Sequence, residues 1–248
     1  MLMSSTTNRV SVGQFSCTIV DDGNFAYEHP AAMFFASAPP AELDQALRAH
    51  QIDPGAWERY LSPYPSLIID TGRHRVLVDT GAGDLAPTTG QLQTNLHAAG
   101  ITPDSIDTVI LTHGHPDHIG GNVTADGALA FPQARHVMWG SEWKFWTENP
   151  DVSALQVPDY LKQLLVDCAS RNLPPLAGRI ELIDEEEEIV PGIRAVAAPG
   201  HTPGHMALAI HSEGEQLLHL ADTVLHPIHL EHPDWLAAVD LLPEQTIA

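Results

Sequence analysis

Cysteine is nearly absent: only Cys17 and Cys168 carry a thiol in 248 residues. Two lone cysteines build no disulfide framework, and neither has a CxxC partner for a zinc ribbon or redox pair. Both read as ordinary buried or half-buried thiols. Basic residues are also scarce, with 11 Lys and Arg against 32 Asp and Glu and a formal net charge of −21. A surface of that sign repels phosphate backbones, which excludes nucleic acid as a partner and argues against nuclease activity. No segment is both basic and apolar-faced, so no hold on an anionic membrane surface is expected. No run approaches the ~18 apolar residues of a membrane-spanning helix. The N-terminal stretch up to Phe15 has no basic segment followed by an apolar one, so no secretory signal is expected, and a cytoplasmic location follows. Gly81 and Gly83 are not followed by GK[ST], so they read as turn glycines and not as a phosphate loop. No internal repeat or low-complexity linker interrupts the chain.

What remains is an apolar content of 44%, which fits a globular protein, in a length sufficient for a substantial core and for one large α/β (α+β) domain or two small ones. Residues 1–248 read as a single domain. Residues 66–83, "SLIIDTGRHRVLVDTGAG", form two apolar strands around a polar turn at Thr71–His74. Leu92, Leu96 and Ala99 share one helical face, and Gly100 stops that helix. A buried strand over Thr108–Leu111 follows, then a strand in "ARHVMW", a helix in "PDYLKQLLVDCASRN", a strand in "IRAVAAPGH" ending at His201, and a hairpin ending at Asp222. Strands thus repeatedly end on His or Asp, at the place where an α/β protein puts its site. Residues 39–64 read as an inserted helical lobe. The acidic run Asp184–Glu188 reads as a solvated edge.

Histidine is abundant, with 15 residues, seven of them between His201 and His232. The segment "THGHPDHIGG" packs His113, His115, Asp117 and His118 together. Neutral imidazoles and carboxylates are the ligands of zinc and similar ions. His113 and His115, two apart, point the same way on an extended segment, and Pro116 then turns the chain before Asp117 and His118. That turn can divide four side chains between two neighbouring ions. His201 sits in a Gly/Pro turn in "APGHTPGH", and Asp222 follows 21 residues later, after one hairpin. Asp79, in "VLVDTGAG", reads as a residue that hydrogen-bonds a ligand imidazole or caps its turn.

Together "THGHPDHIGG", "APGHTPGH" and "LLHLAD" resemble the metallo-β-lactamase superfamily of metallohydrolases, over roughly Ser66 to Trp235. The resemblance implies a four-layer αβ/βα sandwich with a dinuclear site at the sheet edge. One ion would take His113, His115 and His201, the other Asp117 and His118, and Asp222 would bridge both. His115 stands where the diiron flavoprotein branch has Glu, which favours two divalent ions of the zinc type, with Mn, Co or Fe as alternatives. "LSPYPSLIIDTG" and "ADTVLHPIHLEHPDW" resemble the branch of methyl parathion hydrolase and related lactonases. The implied activity is hydrolysis of small esters, lactones or phosphotriesters by a hydroxide bridging two ions, with Asp117 orienting it and carrying a proton. Similar scaffolds house thioester hydrolases and mononuclear iron sulfur dioxygenases, which are the alternative readings. Trp57, Tyr60, Trp143, Phe145 and Trp146 are candidates to line an apolar pocket for a small-molecule substrate.

The superfamily usually adds one more His on a late strand. None follows Asp234, so the sandwich is expected to lack its last helix and strand, as if truncated at the C-terminus. His226 is the best substitute, and it joins Asp79 and His205 as an expected second layer around the ligands. An exposed sheet edge would offer a route to a homodimer. A metal-binding domain without turnover is the third reading.

Overall fold

A computed structural model describes residues 8–247. Among these residues, eleven strands form two sheets. The larger contains β1 (Asn8–Val12), β2 (Phe15–Glu28), β3 (Arg59–Asp70), β4 (Arg75–Val78), β5 (Thr108–Ile110), β6 (Arg135–Trp139) and β7 (Ile180–Ile183), side by side in that order. Strands β1 to β4 pair antiparallel, and β4 to β7 pair parallel. The smaller sheet has the order β11 (Glu215–His219), β10 (Met206–Ser212), β9 (Ile193–Ala197), β8 (Glu188–Val190), all antiparallel. The helices are α1 (Pro30–Phe34), α2 (Pro40–Ala49), α3 (Leu92–Ala98), α4 (Pro116–Ile119), α5 (Gly140–Thr147), α6 (Asp159–Asn172) and α7 (Pro243–Thr246).

Strand β5 explains the parallel half: Thr108, Val109 and Ile110 are all buried. A strand covered on both faces reads as an unbroken apolar run. Ile110 packs between the sheets with Ile69, Val76, Met206, Leu208 and Ile210. Val109 belongs to the opposite face, with Leu96, Phe131, Met138 and Leu173 beneath the helices. A third cluster, Phe34, Phe35, Leu43, Leu47, Ile228 and Trp235, fixes α1 and α2 against the segment after Asp222.

Several sequence expectations shift. Only Pro40–Ala49 of the expected lobe at residues 39–64 is regular helix, and Arg59 to Tyr64 belongs to β3. The longest strand, β2, was not readable from alternation, because "DDGN" interrupts it with a bulge between Asp21 and Asn24. Strand β9 ends at Ala197 and β11 at His219, so His201 and Asp222 sit in the loops just beyond them, Asp222 in the short turn Ala221–Thr223. The acidic run is almost wholly exposed, as a solvated edge should be. No helix is long and apolar enough to cross a membrane among the described residues.

Candidate metal centre

The site forms where the ends of both sheets meet. From the larger sheet, the chain leaves β5 through Thr112, places His113 and His115 in an extended loop, and turns at Pro116 into the single-turn helix α4 carrying Asp117 and His118. From the smaller sheet come His201, after β9, and Asp222, after β11. His113, His115, His201 and Asp222 each bring one ligand atom within 4.8 Å of one another, and so do Asp117, His118 and Asp222.

Asp222 belongs to both groups, and its two oxygens divide between them. Oδ2 faces His201 Nε2 at 3.4 Å and His113 Nε2 at 3.8 Å, while Oδ1 faces His118 Nε2 at 3.3 Å. Asp117 Oδ2 closes the second group at 3.5 Å from His118 Nε2.

Hydrogen bonds on the far side of the His118 and His201 rings fix which nitrogen faces inward. His118 Nδ1 donates to Asp79 Oδ2 at 2.8 Å, and His201 Nδ1 donates to Asp240 Oδ1 at 2.8 Å. Such bonds orient ligand imidazoles and raise their basicity. Asp79 also accepts from the Thr112 backbone N–H at 2.8 Å and from the Thr112 hydroxyl. These bonds hold Asp79 at φ +60°, a left-handed conformation uncommon for a residue with a side chain. Ala221, just before Asp222, is held at φ +46°. His205 uses both nitrogens: Nδ1 donates to the Ala198 carbonyl, and Nε2 accepts from the Asp222 N–H at 3.1 Å. It has none left for an ion and instead anchors the Asp222 backbone.

The donor set suits a divalent ion. His113 Nε2 is buried with no hydrogen-bond partner, and so is His115 Nε2. His115 Nδ1 lies 2.9 Å from His201 Nε2 inside the cluster. Buried polar atoms are normally satisfied, and a cation among converging nitrogens would satisfy His113 Nε2 and take the place of the His115–His201 contact. Burial, reinforced by the neighbouring imidazoles, holds His113 and His115 well below the usual histidine range, hence neutral and able to donate an electron pair. Burial also pulls on His118 and His201, but carboxylates outweigh it. Asp222, Asp117 and Asp79 carry His118 well above its ordinary value, and Asp222 and Asp240 raise His201 to about 9. Burial alone would raise Asp222, yet His118 and His201 hold its carboxyl well below the usual range. The carboxylates that raise these two imidazoles are the negative charge that a divalent cation would neutralise.

A cavity of about 610 Å³ opens onto this cluster, with His115, Asp117, His118, His201 and Asp222 on one side. Its other walls are largely apolar, including Phe25, Tyr27, Phe34, Tyr64, Leu161 and Leu225. Of the aromatic residues expected to line it, only Tyr60 does. Trp57, Trp143, Phe145 and Trp146 pack in or against the hydrophobic clusters instead.

His226 does not join the centre. Its ring packs edge-on against Phe35, Trp57 and Tyr60, and its Nδ1 accepts from the Ile228 N–H. Burial, then the neighbouring His229 and His50, pushes it down to about 4. The Pro227 turn that suggested it as a ligand directs it into the aromatic cluster.

Two buried acids escaped the sequence reading. Asp240 reaches His201 because its segment runs beside the histidine loop: Leu241 and Leu242 donate to the His201 and Gly200 carbonyls. Glu142, on α5, accepts at Oε1 from the Gly114 N–H (2.8 Å) and Trp146 Nε1 (2.7 Å), and at Oε2 from the Gly204 N–H (2.7 Å). Neither acid has a spacing that marks it. The one available signal is the conjunction of Glu142 with Trp146 four residues on, which places an acceptor and an indole donor on one helical face.

The sequence model of the metallo-beta-lactamase superfamily matches residues 59–243. A beta-lactamase-like protein 2 homolog from Drosophila melanogaster is 33% identical over 144 residues, covering 58% of this chain and 41% of that protein. An atrochrysone carboxyl ACP thioesterase from Passalora fulva is 30% identical over 159 residues, covering 64% and 37%. The matches thus span about two fifths of these two relatives' lengths. Among solved structures, the dizinc quorum-quenching lactonase AidC, in complex with its product, superimposes with a TM-score of 0.85 at 27% identity, covering 97% of this chain and 83% of that one.

Proposed function

The chain belongs to the metallo-β-lactamase superfamily, and from that premise we propose that it is a dinuclear metal-dependent hydrolase of small esters or lactones bearing an apolar group. The observation that carries this reading is the Asp222 carboxylate, which turns one oxygen to each ligand group beside an apolar cavity. His113, His115 and His201 would hold one divalent ion, Asp117 and His118 the other, with Asp222 shared and zinc the preferred metal. Two bound ions would supply Lewis acidity and activate water for attack at neutral pH.

The chain's own groups do the rest. Asp117, on the cavity wall, is placed to orient the attacking water and to carry its proton toward the leaving oxygen. Asp79 and Asp240 keep His118 and His201 in the tautomer that presents Nε2 inward. The apolar walls exclude bulk water and grip the substrate's hydrocarbon portion, where each buried CH₂ contributes ~0.8 kcal/mol. The same pocket chemistry admits phosphotriesters with apolar substituents.

Thioester hydrolysis is the second reading, favoured by the thioesterase relative. Metal content measured beside a panel of p-nitrophenyl esters, acyl lactones, aryl phosphotriesters and acyl thioesters separates these readings. Two ions per chain with ester or lactone turnover supports the proposal. A single iron with sulfur-dependent oxygen uptake would replace it with the dioxygenase reading, and bound metal without turnover would leave a binding domain.

A further inference from the structure

Glu142 is 0% exposed, and its partners are N–H groups from three different places. Burying a carboxylate without a cationic partner is unfavourable and needs compensation. Two of its three donors belong to the loops that carry ligands. Gly114 lies between His113 and His115, and Gly204 lies in the turn that joins His201 to His205. Each oxygen therefore accepts from one histidine loop.

The backbone is pressed onto α5 to make this possible. A Cβ at Gly114 would stand 2.2 Å from the Trp146 ring, and one at Gly204 would stand 2.4 Å from the Glu142 nitrogen. Both positions lack the side chain that would push the loops off the helix.

We propose that Glu142 is a positioning residue of the metal centre: it ties the His113–His115 loop to the His201 loop and so fixes the spacing on which metal affinity depends. The two loops come from different sheets, bridged beside the ligands by the Met206 N–H to the Thr112 carbonyl (3.1 Å) and by the His115 Nδ1–His201 Nε2 contact (2.9 Å); an entering ion would replace that second contact, so preorganisation that outlasts metal entry has to come from outside the ligands. Glu142 supplies that preorganisation from behind. The inference rests on the assignment of His113, His115 and His201 as ligands of one ion.

The test titrates metal-free protein with Zn²⁺ against a chromophoric chelator. Glu142→Gln keeps the length of the side chain but turns an amide N–H₂ toward one loop donor, releasing that loop. The expected result is a Zn²⁺ dissociation constant about 10- to 100-fold higher, with faster amide exchange at Gly114 or Gly204. Trp146→Phe removes the third donor while leaving both loop bonds; it also thins the packing behind Gly114 and His115, so its Zn²⁺ dissociation constant is expected to rise by clearly less than that of Glu142→Gln. A purely structural role predicts instead that both variants melt earlier and bind Zn²⁺ like the wild type, which would overturn the proposal. If Glu142→Gln does not fold, amide exchange in the metal-free wild type decides. Protection of Gly114 and Gly204 comparable to β5 supports the tie, and rapid exchange at both overturns it. A wild-type protein that binds no Zn²⁺ defeats the ligand assignment itself, and the inference with it.

Discussion

The two halves of the centre are built differently. Around His113, His115 and His201 the site is almost sealed: the side chains of His113 and His201 are 0% and 1% exposed, two of the three imidazoles are held neutral, and the loops are braced by Glu142 and Asp240. Around Asp117 and His118 it is open to the cavity, with side-chain exposures of 20% and 12%, and it is built on charge. A sealed set of neutral nitrogens is made for retention. An open set with carboxylates is made for exchange with water and substrate. On this view the histidine half governs how tightly metal is held, and the aspartate half governs what the centre does to a substrate.

The most severe way to break this contrast is to remove what joins the halves. Asp222→Ala should lower total metal content and cut hydrolysis by more than about 100-fold, beyond the usual loss for a partner that only orients a ligand; elemental analysis and turnover are read together. The next pair separates the halves. His115→Ala should lose metal and hydrolysis together, whereas Asp117→Asn should keep the histidine-held ion and lose turnover. Unchanged metal occupancy in His115→Ala would refute the ligand assignment.

Asp240→Asn keeps every ligand but removes the anion behind His201, and metal affinity should fall about 10-fold or more with folding retained. pH sharpens the same point. Since His201 is raised to about 9 in the metal-free protein, an entering ion displaces a proton, and Zn²⁺ affinity should climb with pH until about 9. Stability of the metal-free protein moves the opposite way. A histidine raised above its ordinary 6.5 contributes stability that is fully present below that value and is lost as pH rises through about 9; thermal melts across this window check the sign. The smallest effect on stability is expected from Thr112→Val, which removes the hydroxyl contacts to Asp79 and to His113 Nδ1 but spares the backbone bond to Asp79. It should cost about 0.5–1.5 kcal/mol, measured by denaturant unfolding.

How much of this was legible depended on whether chemistry was concentrated along the chain. His113, His115, Asp117 and His118 fall within six residues, and His201 and Asp222 follow strands. Their convergence could therefore be anticipated from spacing and turns. The bracing acids could not. Asp240 lies 39 residues from His201, in a segment with no regular structure, and Glu142 sits in a helix whose sequence reads as ordinary packing. Both matter through tertiary contacts that periodicity does not encode. His226 misled for the converse reason: nearness to Asp222 along the chain suggested a ligand, but Phe35, Trp57 and Tyr60 offered its ring a better-packed place. The cavity wall escaped because Phe25 and Tyr27 lie on a strand whose alternation a bulge interrupts.

The centre lies on the seam between the two sheets. His113 leaves the larger one and Asp222 the smaller, 109 positions apart (222 − 113). An ion held by both is a clip on a long loop, and it makes the coming together of the sheets a step that metal can pull forward. Ligands that bind only the assembled state stabilise it by mass action, by ~2.7 kcal/mol at a free concentration 100 times the dissociation constant. The rate at which the sheets part should therefore fall as the free metal concentration rises, and a chelator should act on this protein as a mild denaturant as well as an inhibitor.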